Sequence, residues 1–179
     1  MTVNFRAKRC PVNDILKLIF YPDSLFSPEK PDRLIAVMDE NAVLHLKYGL
    51  DNSLLVAYRY RGWTIEGIPD QILDDMVIEG KVVRKGSNIE KLKAVAWFQA
   101  CIYALALELP KFKVVLFKPT LEEFWEKEFE TKEEEPKVKS YLDVAIEILN
   151  SLSSLAKAGE KLAKGAWQSA KLASEAKVR

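Results

Sequence analysis

Cysteine and histidine are nearly missing from this chain: Cys10, Cys101 and a single His45 in 179 residues. The two cysteines stand far apart with no CxxC pair. That excludes a disulfide framework and any all-cysteine zinc or iron–sulfur site within one chain. An excess of one charge is missing too, since 27 Lys and Arg face 26 Asp and Glu for a net +1. A broadly electropositive protein of the histone kind is thereby excluded, although a local basic groove needs no basic total. Long apolar runs are absent. The longest, around 94–109, is interrupted by Gln99 and ends at Glu108, too short and too polar to span a bilayer. The amino terminus carries Arg6, Lys8 and Arg9 with no apolar stretch behind them, so no secretory leader is expected. These absences describe a soluble, cytoplasmic protein with no membrane partner. Its heavy use of Lys and Glu would suit a thermophile.

What is present suffices for a folded domain. Hydrophobic residues make up 49% and aromatics 10% of the chain, enough for a core in one domain of ordinary size. Helical spacing of Ile15, Leu18 and Ile19 predicts a helix over 12–21, closed by Pro22. A second helical pattern covers 33–48, before Gly49. The period then changes to that of strands, at 54–60 and 63–68, with Arg61-Gly62 between them as a hairpin turn. A third strand is expected over 76–84. Ser87 and Glu90 have the spacing of a capping box for a helix over 89–109, stopped by Pro110. A fourth strand follows near 113–118. The order α, α, β, β, β, α, β favours an α/β fold, a mixed sheet flanked by helices.

After Pro119 the composition shifts. Residues 121–136 crowd Glu and Lys around Phe124, Trp125 and Phe129, and Glu133, Glu134 and Glu135 form an acidic run, the pattern of an exposed linker. From Tyr141 a stripe of Ala145, Ile148, Leu152, Leu155, Gly159, Leu162 and Ala166 recurs at alternating four and three, as in a coiled-coil seam. Gly159 and Gly165 are candidate breaks. The expected division is a core over 1–119 and a charged linker with a helical appendage over 120–179. Lys157, Lys161, Lys164 and Lys171 share a helix face beside that stripe; packing on the core or on a second copy of the chain is the favoured use.

Chemistry concentrates at Gly67-Ile68-Pro69-Asp70 and at Glu79-Gly80-Lys81. Side chains alternate along a strand, so Glu79 and Lys81 share one face while Ile78, Gly80 and Val82 take the other. A carboxylate and an ammonium on a strand that otherwise reads as buried are costly without partners. Asp70 follows the hairpin and can reach the same end of the sheet. Two carboxylates beside a lysine suit phosphodiester hydrolysis: Asp70 and Glu79 can hold Mg²⁺ or Mn²⁺ while Lys81 orients water or stabilises the transition state. An E-x-K triplet alone is commonly a surface ion pair; the Gly-Ile-Pro-Asp before it gives it weight. Gln99 and Tyr103, four apart on the apolar helix, form a second polar signal on one face.

The ordered series Asp70, Glu79-x-Lys81, Gln99-x-x-x-Tyr103 resembles the RecB-like PD-(D/E)XK nucleases, and is similar in spacing to the CRISPR-associated members and their viral relatives. The match covers about residues 40–118. It implies a restriction-endonuclease-like α/β/α core, with Asp70 and Glu79 on the metal, Lys81 assisting catalysis and Gln99 and Tyr103 positioning DNA. It also implies a metal-ligand role for His45. One departure stands out: Cys10-Pro11 resembles the first cluster cysteine of the CRISPR-associated members, but nothing after Cys101 supplies the others. No iron–sulfur cluster is expected.

Arg84, Lys85 and Lys93, near the ends of the third strand and the next helix, are candidate contacts for the DNA backbone. The sequence therefore predicts a Mg²⁺- or Mn²⁺-dependent deoxyribonuclease acting on single strands or ends. The competing reading is a nuclease fold kept without catalysis, for DNA binding or assembly. Retention of all three catalytic residue types favours the enzyme.

Overall fold

The computed structural model describes residues 3–22, 54–118 and 123–176; the helix expected over 33–48, with His45 on it, lies outside them. Strand β1 (Arg9–Pro11) runs directly into helix α1 (Val12–Phe20). Val12, Ile15, Leu16 and Leu18 bury the inner face of α1. Strands β2 (Val56–Tyr60) and β3 (Trp63–Gly67) form the expected hairpin. At its tip Arg61 and Gly62 both have positive φ, 45° and 78°. A two-residue turn that follows the strand twist demands that left-handed pair, and glycine adopts it without steric cost.

The strands divide into two sheets rather than one. In the first, β3 lies between β2 and β1, antiparallel to β2 and parallel to β1. The second orders β4 (Gln71–Ile72), β5 (Met76–Val82), β6 (Lys111–Phe117) and β7 (Glu123–Glu130) side by side. Only β5 and β6 are parallel there, and α2 (Ile89–Ala106) supplies the crossover that parallel neighbours require. Between Gly67, where β3 ends, and Gln71, where β4 begins, the chain changes sheet. Pro69 lies in that step and has no N–H to carry a ladder onward.

Helix α2 is apolar on nearly all sides, and it is covered on all sides. It packs on β5 and β6, on β2, and on the helices α1 and α3 (Thr131–Ala176). Trp97, Phe98, Ile102 and Tyr103 enter the core with Trp63 of β3 and Phe112 of β6. The expected capping box is displaced by one residue. Asn88 is the cap, its Oδ1 accepting from the Lys91 N–H at 3.0 Å. The Ser87 hydroxyl is committed instead to the Arg84 N–H at 3.0 Å, and Glu90 to Lys93.

The stretch expected as a charged linker is strand and helix. In β7, Phe129 stacks on Phe112 with ring centroids 5.0 Å apart. On the opposite face Glu126 and Glu128 pair with Lys113 and Lys111 of β6 at 3.3 and 3.0 Å. The crowding of Glu and Lys is thus the outer face of an edge strand, where charge discourages pairing with another chain. Helix α3 starts at Thr131, takes in the acidic run and Pro136, and continues through Gly159 and Gly165 without a break. Its first half belongs to the core through Val138, Leu142, Ala145, Ile146 and Leu149. Three ring donors clip it down: Tyr60 Oη to Asp143 at 2.6 Å, Trp63 Nε1 to Asn150 at 3.0 Å and Trp97 Nε1 to Glu134 at 3.2 Å. Farther along, the stripe stands in solvent, with Leu155 69% and Leu162 75% exposed. No helix of the described residues is long and apolar enough to cross a membrane.

Candidate active site

Strand alternation on β5 turns Val77, Glu79 and Lys81 towards α2, because Phe112 and Val114, the register partners of Val77 and Glu79, belong to the core that α2 closes. Ile78 and Val82 take the other face, with Val115 and Phe117 of β6. Glu79 is only 1% exposed, and Lys81 Nζ donates to its Oε1 at 2.8 Å. Two charges removed from water hold each other there, since either alone would face a desolvation cost of about several kcal/mol.

Asp70 reaches the pair from the step between the sheets. Gln71 pairs with Ile78 across the β4–β5 ladder, so one residue earlier along β4 stands opposite Glu79. The Gly80 N–H, between Glu79 and Lys81, donates to Asp70 Oδ2 at 2.9 Å. That bond ties the loop to the strand and leaves both carboxylates beside the middle of β5.

Tyr103 closes the site from α2. Burial holds its phenol well above the ordinary tyrosine value. The Glu79 and Asp70 carboxylates add to the rise, while Lys81 and a hydrogen bond with Gln99 oppose it. The hydroxyl therefore stays protonated and lies within electrostatic reach of all three charged groups. Gln99 Nε2 donates to Asn13 Oδ1 of α1 at 3.4 Å, which links the polar pair of α2 to a second helix. Gly67 is pressed against the ring: a Cβ there would fall 2.7 Å from Tyr103 Cε1 and closer still to its hydroxyl. Neither Asn13 nor Gly67 was singled out as a site residue from sequence. The glycine opening Gly-Ile-Pro-Asp was visible as a motif member, whereas nothing local marks Asn13.

The structure thus brings Asp70, Glu79, Lys81, Gln99 and Tyr103 together. Of the cationic candidates, Arg84 and Lys85 are on an exposed turn after β5. Lys93 is paired with Glu90 at 2.8 Å and its ammonium lies 4.6 Å from the Trp125 ring centroid, so the neighbouring side chains already engage it. Cys10 and Cys101 are buried core residues. Burial pushes both thiols up to about 12, helped by Asp14 at Cys10 and by Glu134 and Glu135 at Cys101.

Among the described residues no three His, Cys, Asp or Glu side chains converge on a point. Asp70 and Glu79 nonetheless offer two hard oxygen donors side by side. That fits Mg²⁺ and Mn²⁺, which are commonly held by one or two carboxylates and complete their shell with water and phosphate oxygens.

No family model matches the sequence, and no curated protein sequence matches it. Solved structures do. The alkaline exonuclease LHK-Exo from Laribacter hongkongensis superimposes with a TM-score of 0.51 at 14% identity, covering 89% of this chain and 95% of that one. In its complex with dAMP the TM-score is 0.54, over the same shares and at the same identity. The protein SSO0001 matches with a TM-score of 0.51 and 18% identity, over 79% of this chain and 76% of the other. At such identities the likeness is one of fold. The fold is mixed α/β, as expected from the sequence, and is one these structures share.

Proposed function

We propose that this protein is a Mg²⁺- or Mn²⁺-dependent DNA nuclease that cleaves phosphodiester bonds in single-stranded or end-containing DNA. The observation that carries this reading is the meeting of Asp70, Glu79 and Lys81 beside the middle of β5, two carboxylates and an ammonium walled in by apolar packing. The fold shared with an alkaline exonuclease supports it.

Asp70 and Glu79 would hold the cation. When bound, it supplies positive charge to the phosphate and lowers the pKa of an attacking water. Lys81, directed at Glu79 by the strand alternation, keeps a fixed positive charge where a non-bridging oxygen gains negative charge. That placement costs no reorganisation during reaction, which is where most electrostatic catalysis resides. Tyr103 remains a neutral phenol and hydrogen-bond donor facing the same point. Gln99 holds the phenol oxygen. Arg84 and Lys85 can take neighbouring phosphates, each a sequence-independent and salt-sensitive contact. His45 is proposed as a further metal ligand on the family resemblance.

The test uses end-labelled single- and double-stranded DNA, linear and circular, incubated with Mn²⁺. Wild type is expected to degrade linear single strands, with Glu79→Gln and Lys81→Ala each slower by about a hundredfold or more. Cleavage that survives both substitutions would belong to a contaminant and end this reading. DNA binding without metal-dependent cleavage would establish the non-catalytic alternative.

A further inference from the structure

Resting on the nuclease reading, we propose that Gly67 and Asn13 are positioning residues of the site: Gly67 admits the Tyr103 ring, Asn13 anchors Gln99, and together they aim the Tyr103 hydroxyl at the phosphate between Asp70, Glu79 and Lys81.

Two contacts carry this, one from β3 and one from α1. At Gly67 the ring of Tyr103 occupies the volume of a side chain, with Cε1 and Cζ 2.7 and 2.9 Å from where a Cβ would be. The glycine carries no positive φ, so its requirement here is one of space, not of backbone conformation. It is also the last residue of β3, three before Asp70. The same short segment thus delivers a carboxylate to the site and leaves room for the phenol beside it. Any side chain at 67 has to displace the ring, because Tyr103 is 2% exposed and packed in the core.

The second contact holds Gln99. Its Nε2 donates to Asn13 Oδ1 at 3.4 Å, and Gln99 stands four residues before Tyr103 on α2, on the same helix face. Asn13 thereby fixes the side chain that neighbours the phenol, a group Asn13 does not touch.

The experiment compares wild type with Gly67→Ala, Tyr103→Phe, their double variant, Asn13→Ala and Asn13→Asp in the full chain. Single-turnover cleavage in Mn²⁺ is measured beside DNA affinity in Ca²⁺. Misplacing a positioned group by an ångström can cost about a hundredfold in rate, and Gly67→Ala is expected to approach that fall while DNA affinity holds. Because both changes act through one hydroxyl, Gly67→Ala with Tyr103→Phe is expected to be no slower than the worse single variant. Asn13 is exposed, so its substitutions leave the fold intact. Asn13→Ala is expected to slow cleavage and Asn13→Asp, which keeps the acceptor, to restore it.

A second readout needs no activity. In protein labelled with 3-fluorotyrosine, the Tyr103 resonance is identified by its loss in Tyr103→Phe. It is expected to lack a solvent isotope shift in wild type and to gain one in Gly67→Ala. Multiplicative losses in the double variant, or wild-type rates in both Gly67→Ala and Asn13→Ala, would overturn the inference while leaving the nuclease reading intact. Absence of wild-type cleavage with the fluorine pattern as stated would overturn the nuclease reading alone.

Discussion

A buried carboxylate beside a largely buried ammonium makes Glu79 and Lys81 sensitive to single changes and tolerant of paired ones. Removing one partner of a buried pair leaves the other charge uncompensated, at about 3–5 kcal/mol, whereas replacing both by apolar groups is often neutral. Glu79→Gln is therefore expected to lower the urea midpoint sharply, and Glu79→Leu with Lys81→Met to recover most of the loss without recovering cleavage. A midpoint for the double variant no higher than for the single one would show that the pair is not mutually supporting. The thiols give a pH prediction. Cys10 and Cys101 rise from 9.0 in the unfolded chain to about 12 when folded. Their contribution is thus fully present below pH 9 and is lost as pH climbs from 9 towards 12, because the unfolded state releases its thiol protons first. Unfolding by urea at several alkaline pH values is expected to show a shallower decline in a Cys10→Ala, Cys101→Ala variant than in wild type. These residue-level properties were partly legible in advance. Alternation along β5 placed Glu79 and Lys81 on one face, because a strand leaves no other choice. That their face is the buried one depended on α2, which no local pattern determines.

Helix α3 shows most clearly how an element's role depends on what it meets. Its heptad stripe was visible from Tyr141 onward, yet the helix begins ten residues earlier at Thr131. The Glu-rich start resembles a linker in composition and is helical in fact, since Glu134 and Asp143 each accept a hydrogen bond from an aromatic donor of the body. Leu142 is fully buried in this helix. Leu142→Ala is expected to cost about 2–5 kcal/mol, read from the shift in urea midpoint, whereas Leu155→Ala in the exposed part of the stripe is expected to change stability by less than about 0.5 kcal/mol. Equal effects at the two positions would contradict the packing of the first half of α3. Strand β7 was hidden for a related reason. Its alternation of Trp125, Lys127 and Phe129 against Glu126, Glu128 and Glu130 has the period of a strand, but charge on both faces masked the signal that burial normally supplies. At α2, Ser87 offered the cap that composition favours, and a turn closed by Arg84 used its hydroxyl first.

At the scale of the whole molecule, the described residues share one core built across the expected boundary at 119. Phe112 and Phe129, and Trp97 and Tyr141, meet over that boundary. A chain ended after Pro119 is expected to lose cooperative thermal unfolding, and a sharp transition in that fragment would refute the shared core. Metal provides the complementary test. A cation that binds only the folded state stabilises it by about 2.7 kcal/mol at a hundred times its dissociation constant. Mn²⁺ is therefore expected to raise the melting temperature of wild type and not of Asp70→Asn with Glu79→Gln, and chelation to remove both the rise and the cleavage. From the sequence alone came the local periods, the hairpin at Arg61-Gly62, the absence of any cysteine framework and the ordered series from Asp70 to Tyr103, because backbone geometry and residue chemistry act over a few positions. The tertiary structure alone decided that the strands form two sheets, that β7 and α3 complete the core, and that Gly67 and Asn13 border Tyr103 and Gln99. Those outcomes depend on distant segments meeting, and packing of that kind leaves no trace in the spacing of neighbours. The series Asp70, Glu79, Lys81 stands at the join of the two, named by its order along the chain and brought together as a candidate site by the step between the sheets.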